Sequence, residues 1–431
     1  MPPAPFVPEW TKADSDVATP GRATAPDPAD SRPRLVVVSA IGLAQILAWG
    51  SSYYLIAVAA KPIAADTGWP LPWIVGGLSI GLLVSGLVSP GIGRIIDRHG
   101  GRPVLASSAV LLAGGLVLLG LAPSLPVFIA AWIVIGLGMG AGLYDPAFSA
   151  LGRLYGEGAR SAITQVTLFG GFSSTVCWPL SALLVEHFGW RGACLTYAAI
   201  NLAVVLPLYL LGVPREPRDR PGLPRRAAPS GAARVRAGDR VLFVLLAAGL
   251  TLAYVIMTII AVQLLNLLEA RGLTMAAAVG LGTLLGPSQV GGRIAEMAFA
   301  RKVHPVWSMV GSTVLVTIGL GMLAAAPGIA AVGIVLYGSG SGIRSIVRGT
   351  VPLALFGREG YAILMGRLAL PSLLAQAASP SIGAFLLYRF GTDVTIEVLC
   401  WAAVANIALA LLLVPFARAR MAPPPPTGRE A

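Results

Sequence analysis

Residues Gly93–Arg102 read GRIIDRHGGR, with the spacing Gly93-x-x-x-Asp97-Arg98-x-Gly100-x-Arg102. One apolar run ends near Gly91 and another begins at Pro103. Gly93 and Gly100 lack a Cβ, so helices can approach closely there and the chain can turn sharply. Asp97 suits a helix N-terminus, where a negative charge is favoured. Arg98 and Arg102 can pair with acids or with lipid phosphates. The meaning of this charged turn depends on what the flanking apolar runs are.

Composition answers that. Of 431 residues, 56% are apolar and only 12% charged, and the mean hydropathy is +0.78. A soluble surface needs more charge. Apolar runs of about 20 residues recur, the length that crosses a bilayer core as a helix. The 52 glycines and 34 prolines are tolerated in membrane helices, where neighbours re-satisfy freed backbone groups. The chain is therefore predicted to be an all-α membrane protein. Its net charge of +12 then fits cytoplasmic loops rich in Lys and Arg, and no nucleic-acid partner is expected. Cys177, Cys194 and Cys400 lie scattered in apolar runs and offer neither a disulfide framework nor a metal site. No cofactor is expected. His99, His187 and His304 fall in loops with no nucleophile or acid cluster beside them, so catalysis is not expected either.

In chain order, 1–34 reads as a disordered cytoplasmic tail and not a signal peptide. Twelve spans follow, at about 35–60, 71–93, 104–122, 127–150, 161–185, 193–213, 241–266, 275–299, 307–325, 329–350, 362–388 and 394–416. They form two six-helix halves, 35–213 and 241–416. The 214–240 linker holds eight Arg and three acids, and 417–431 is a second cytoplasmic tail. With both termini inside, the outer loops contain only Lys61, Arg191, Arg271 and Arg389. That asymmetry sets the orientation. Trp69, Trp73 and Trp190 then sit at the outer interface and Trp307 at the inner one. The halves also repeat. Gly136, Gly138 and Gly140 correspond to Gly338, Gly340 and Gly342 at an offset of 202, and Phe188-Gly189 to Phe390-Gly391 at the same offset. Glycines four apart in these ladders make small-residue packing faces.

The opening stretch resembles the loop signature between the second and third spans of the major facilitator superfamily, with Pro103 where a second basic residue is usual. The resemblance covers about 35–416. It implies a twelve-helix secondary transporter that works by alternating access, in a bacterial-type cytoplasmic membrane. It also implies a gating motif, Gly93, Asp97, Arg98, Gly100 and Arg102, that latches the halves in the outward-facing state. Asp97 would lie against the start of the eleventh span near Tyr361–Ala362. A degraded second copy sets either Arg301-Lys302 or Gly292 and Glu296 opposite the first.

Polar residues inside spans mark candidate sites. Asp145 is either a proton carrier or, with Pro146, an N-cap followed by a first-turn proline. Gln289, Arg293 and Glu296 follow i, i+4, i+7 on one face, after a break expected at Gly286-Pro287. Arg293 either faces a central anion site, or pairs with Glu296 or snorkels. Asp145 and Glu296 are the acids placed to carry a coupling proton. Arg344 and Arg348 are expected to snorkel to the inner surface. Gln45, Trp49 and Ser52/Tyr53 on the first span, and Thr251, Tyr254 and Thr258 on the seventh, either line the pathway that the resemblance assigns to these spans or bond neighbouring helices.

The fifth span has Trp178-Pro179-Leu180-Ser181-Ala182 where drug–proton antiporters of the superfamily carry Gly-Pro-x-x-Gly-Gly. Gly68-Trp69 and Gly189-Trp190-Arg191 resemble the monocarboxylate porter and oxalate–formate antiporter groups, as does a basic residue at Arg293. Gln289 replaces the acid that precedes it in the monocarboxylate porters. The resemblance implies a small organic anion such as a monocarboxylate as substrate, with membrane lipid around it. Efflux of an amphipathic compound is the alternative, and a non-transporting sensor of the same fold the remote one.

Overall fold

The computed structural model describes residues 32–215, 239–299 and 303–421. The predicted tail over 1–31, most of the 214–240 linker, Arg301-Lys302 and the end of the second tail lie outside the described residues. What is described is helical almost throughout. Nine helices among these residues are long and apolar enough to cross a membrane. They are α1 (Arg34–Thr67), α2 (Leu71–His99), α3 (Gly101–Gly120), α4 (Leu125–Tyr155), Ala159–Gly212, α7 (Arg240–Ala270), α9 (Pro305–Ala325), α10 (Pro327–Phe356) and Tyr361–Arg420.

Two of these cross twice. Within Ala159–Gly212, Gly189 takes φ 68° and ψ 173°, and Ser181 Oγ and Tyr197 OH share a hydrogen bond of 2.8 Å. Sixteen residues of straight helix would hold those groups about 24 Å apart. The chain has therefore turned back, giving α5 (159–188) and α6 (190–212). Tyr361–Arg420 does the same at Gly391, φ 80°. Leu364 and Ala410 then share one apolar cluster. The result is α11 (361–390) and α12 (392–420). The remaining crossing, α8, is the pair Met275–Gly282 and Leu285–Phe299. Its break falls at Thr283-Leu284, just before the expected Gly286-Pro287. Pro287 has no N–H to return to the Thr283 carbonyl four residues back, so the ladder opens there. The described residues are consistent with twelve crossings, and the last helix continues beyond the drawn end at 416 to Met421.

The repeat carries into packing. On α4, a Cβ at Gly136 or Gly140 would strike α2, and one at Gly138 would strike Leu112 of α3. On α10, a Cβ at Gly338 or Gly342 would strike α8, and one at Gly340 would strike Ser312 and Val316 of α9. Alternate glycines thus admit two neighbours, and the same alternation recurs 202 residues later. Apolar clusters follow the two sets of six helices. Those around Tyr337 and around Met309 draw buried residues from α7–α12 alone. Those around Trp132 and Phe148 belong to α1–α6, with Ala369, Leu373, Leu353, Tyr361 and Met365 of the other set inserted.

Candidate functional site

The centre is built on a break in α4. Pro146 has no N–H for the carbonyl of Gly142, so the helix interrupts at Leu143, φ −80° and ψ −158°. Gln45 of α1 supplies the missing donor: its Nε2 reaches Gly142 O at 2.6 Å, while its Oε1 accepts from Trp49 Nε1 at 3.2 Å. Gln45 is fully buried. Leu143 therefore occupies the N-cap position expected for Asp145. Asp145 sits in the first turn of Tyr144–Tyr155, with no side-chain cap bond at that end.

Asp145 instead meets the other set. Its Oδ2 accepts from Arg348 Nη2 of α10, and Arg348 Nη1 donates to the Tyr254 hydroxyl of α7. The Arg348 guanidinium also lies 4.7 Å from the Tyr254 ring centroid. Asp145 Oδ1 has no partner among the described residues. The expected snorkelling of Arg344 and Arg348 is corrected here. Both are buried, at 2% and 5% exposure, because partners reach them inside the bundle. Arg344 Nε donates to Ser312 Oγ at 3.0 Å, and its Nη1 reaches Asn406 at 3.2 Å once that amide is turned to suit its neighbours.

Arg293 of α8 is 6% exposed. Its Nε donates to Ser345 Oγ at 2.9 Å, and Nη1 has no hydrogen-bond partner. No acid pairs with it among the described residues. The internal Arg293–Glu296 pair is also corrected. Glu296 Oε1 accepts from Ser308 Oγ at 2.6 Å and lies 3.8 Å from Arg160 Nη2 of α5. Gln289, half-buried, packs its backbone against Gly342. Arg293 reaches across to α5, where a Cβ on Gly171 would lie 2.0 Å from its Nη1. The adjacent Gly170 is covered by the Tyr144 hydroxyl, 2.1 Å from where its Cβ would be.

Rings run on from Tyr144. Phe148, Tyr144, Trp49, Tyr53, Tyr54 and Trp178 follow one another at centroid spacings of 5.2, 5.1, 5.4, 5.3 and 5.9 Å. Arg293 is within Coulombic reach of Tyr54 and Tyr144. Tyr53 and Tyr54 sit in a π-helical turn, Gly50–Tyr54, where a Cβ on Gly50 would meet Cys177 Sγ at 2.1 Å. Such turns are frequent at functional sites. Of the sequence candidates, Trp49, Tyr53, Tyr254 and Arg293 thus lie on the central surfaces, and Glu296 lies away from them. Sequence reasoning passed over Tyr54, Tyr144, Gly170, Gly171 and Ser345. The adjacent glycines were the available signal.

The opening motif clamps one end of the bundle, here called the motif end. A Cβ on Gly93 would lie 2.3 Å from Ala362 O, so α2 touches the start of α11 backbone to backbone. Gly100 takes φ 82° and ends α2. Half-buried Asp97 gives its carbonyl to Arg153 Nη1. Arg98 is exposed, and Arg102 Nη2 donates to Leu210 O of α6 at 2.5 Å.

Residues 41–342 match the Major Facilitator Superfamily. The chain belongs to this superfamily. Its sequence is similar to human monocarboxylate transporter 11, 32% identical over 169 residues, covering 37% of this chain and 33% of that protein. It is likewise similar to bovine monocarboxylate transporter 13, 33% identical over 137 residues, 31% of this chain and 30% of that one. The matches span about a third of these relatives' length. Among solved structures, the superfamily transporter FucP in its outward conformation superposes with TM-score 0.71 at 13% identity, covering 91% of this chain and all of that one. The human organic anion transporter MFSD10 superposes with TM-score 0.69 at 17% identity, covering 88% of this chain and all of that one. Members of the superfamily are transporters and not enzymes, and this one is a multi-pass membrane protein.

Proposed function

We propose that this member of the superfamily is a secondary transporter for a small organic anion such as a monocarboxylate, with Arg293 as the anion-binding group. One observation carries the reading: a buried guanidinium, carried by one helix set and lying against the other, with only its Nε hydrogen-bonded and no acid paired to it among the described residues. A buried cation without a counter-charge is costly. A carboxylate offers two acceptors that match the guanidinium fork. Partial likeness to monocarboxylate transporters supports the same class. The two six-helix sets, 35–213 and 241–416, rock about the site, the motif end faces the cytoplasm with both termini, and the membrane is a bacterial cytoplasmic one. Gly93, Asp97, Arg98, Gly100 and Arg102 act as the latch. Asp145, whose Oδ1 is unbonded, carries the coupling proton in preference to Glu296, which is engaged with Ser308 and Arg160.

The test is anion binding and counterflow in proteoliposomes. Arg293→Lys keeps the charge but loses the fork and should weaken carboxylate binding, and Arg293→Gln should nearly abolish it. Native-like binding by Arg293→Gln, or a cationic or neutral ligand, would overturn the reading. Reporter fusions in the 214–240 linker test the orientation: activity from a reporter that works only outside the cytoplasm would reverse it.

A further inference from the structure

Arg293 stands beside a run of six aromatic rings, and that juxtaposition bears on what the carboxylate is attached to. Gly170 and Gly171 are consecutive, so their Cα atoms are about 3.8 Å apart. Tyr144 OH covers one and Arg293 Nη1 the other. The free donor of the guanidinium is thus set next to the second ring of the run, and Coulombic reach extends to Tyr54, the fifth. Trp49, Tyr53 and Tyr54 remain half-buried and Trp178 is 48% exposed. Rings buried for stability alone would be closed over like Phe148, which has no exposure. These keep edge and face area accessible next to a charge that needs a partner. An aromatic face beside a cation recognises a molecule with one anionic and one apolar end. With Nε taken by Ser345, the two Nη groups have no hydrogen-bond partner among the described residues, and together they fit a single carboxylate.

We infer that the ligand is an aryl or arylalkyl monocarboxylate, its carboxylate on Arg293 and its ring against the Trp49–Tyr53–Tyr54 surface. This rests on the anion reading of Arg293 and narrows it. The experiment uses the purified full-length protein with benzoate, phenylacetate, acetate, pyruvate and benzamide as probes, read by tryptophan fluorescence and by thermal shift. Benzoate or phenylacetate should bind at least tenfold tighter than acetate or pyruvate, and benzamide should not bind. Tyr54→Leu should shrink the benzoate-to-acetate ratio several-fold while acetate binding stays within twofold. Tyr54→Phe should restore the ratio. A parallel Trp49→Leu variant reads the same ratio should Tyr54→Leu fail to fold. Acetate or pyruvate binding as tightly as benzoate would overturn the aromatic inference and leave the anion reading intact. A ratio unmoved by both leucine variants would do the same. Benzamide binding as tightly as benzoate, or no carboxylate binding at all, would overturn both.

Discussion

The two ends of α5 carry arginines with opposite habits. At the motif end, Arg160 leaves its own set: its Nη1 donates to Val303 O at 2.8 Å, and its Nη2 lies 3.8 Å from Glu296. Just past the other end, Arg191 stays within its set, 3.5 Å from Asp66 and bonded to the carbonyls of Gly120 and Ala122. Arg271 behaves like Arg191, pairing with Asp393 at 3.2 Å and donating to Ala324 O inside α7–α12. The seam follows suit. Close backbone contacts of α2 with α11 run from Gly86 through Gly366 against Ser89 to Gly93 against Ala362, towards the motif end. Cohesion between the sets is therefore placed on one side, and this arrangement is closed at the motif end. The far-end arginines brace each set separately, so the sets can part there without breaking these bonds.

The largest effect is expected at the buried pair inside the bundle, between the sets. Asp145→Asn would leave Arg348 buried without its counter-charge, a loss of about 3–5 kcal/mol when one partner of a buried pair is removed. Thermal unfolding in detergent measures it, and a double variant with Arg348→Met should recover much of the loss. If Asp145→Asn alone is as stable as the native protein, the pair does not hold the sets together.

Gly93→Val comes next. Its Cβ cannot fit 2.3 Å from Ala362 O, so α2 and α11 must separate. Transport should fall at least tenfold at a normal membrane level, and a cysteine placed at the motif end should label faster. Gly189→Ala is the far-end control. It meets nothing within 4 Å but has φ 68° and ψ 173°, a region that is essentially glycine-only, so it should cost about 1–3 kcal/mol in stability and leave labelling unchanged. Equal labelling in both variants would erase the contrast between the ends.

Ion pairs should show smaller differences of the same kind. Glu296→Gln removes a cross-set pair whose arginine is 29% exposed, so roughly 1 kcal/mol or less is expected. That still shifts the balance between two close states. Asp393→Asn removes an exposed within-set pair and should leave transport unchanged. Asp97→Asn should weaken the latch by about 0.3–1 kcal/mol, read as reduced transport with normal folding. The smallest effect concerns His304, whose Nδ1 accepts from Val306 N at 3.3 Å at the entry to α9. Burial, then the Arg160 charge, holds its imidazole below its ordinary value. The stability this cap gives is full above about pH 6.5 and is lost as pH falls from there to the lowered folded value. A His304→Asn variant should flatten that part of the stability–pH curve.

Much of this is legible in the sequence. The 202-residue offset between Gly136–Gly140 and Gly338–Gly342 holds because a ladder of missing side chains is visible in one dimension and packs the same way twice. Gly100 and Gly189 likewise announced turns that need positive φ. The burial of Arg348 and Arg344 is not legible in the sequence, because their partners come from α4, α7, α9 and α12 and nothing local marks such a meeting. The N-cap falls at Leu143, two positions before Asp145, because the break follows from the proton Pro146 lacks, which acts four residues upstream. Tyr54 and Tyr144 hid inside apolar runs, where a ring that faces a site looks the same as one that faces the core.

Arg293 lies over Gly171, one residue from the glycine that Tyr144 covers, yet it is carried by the other set. A ligand held between them would bridge two bodies and so would bind one arrangement of those bodies better than another. Binding energy at such a place becomes a force on the hinge. Turning a 1:99 population into 99:1 takes about 5.5 kcal/mol of preference for one arrangement over the other. A site housed wholly in one set could bind just as tightly and supply none of it. Whatever pulls the sets apart at this level would also dismantle the site, so the motion that moves the ligand would be the motion that lets it go.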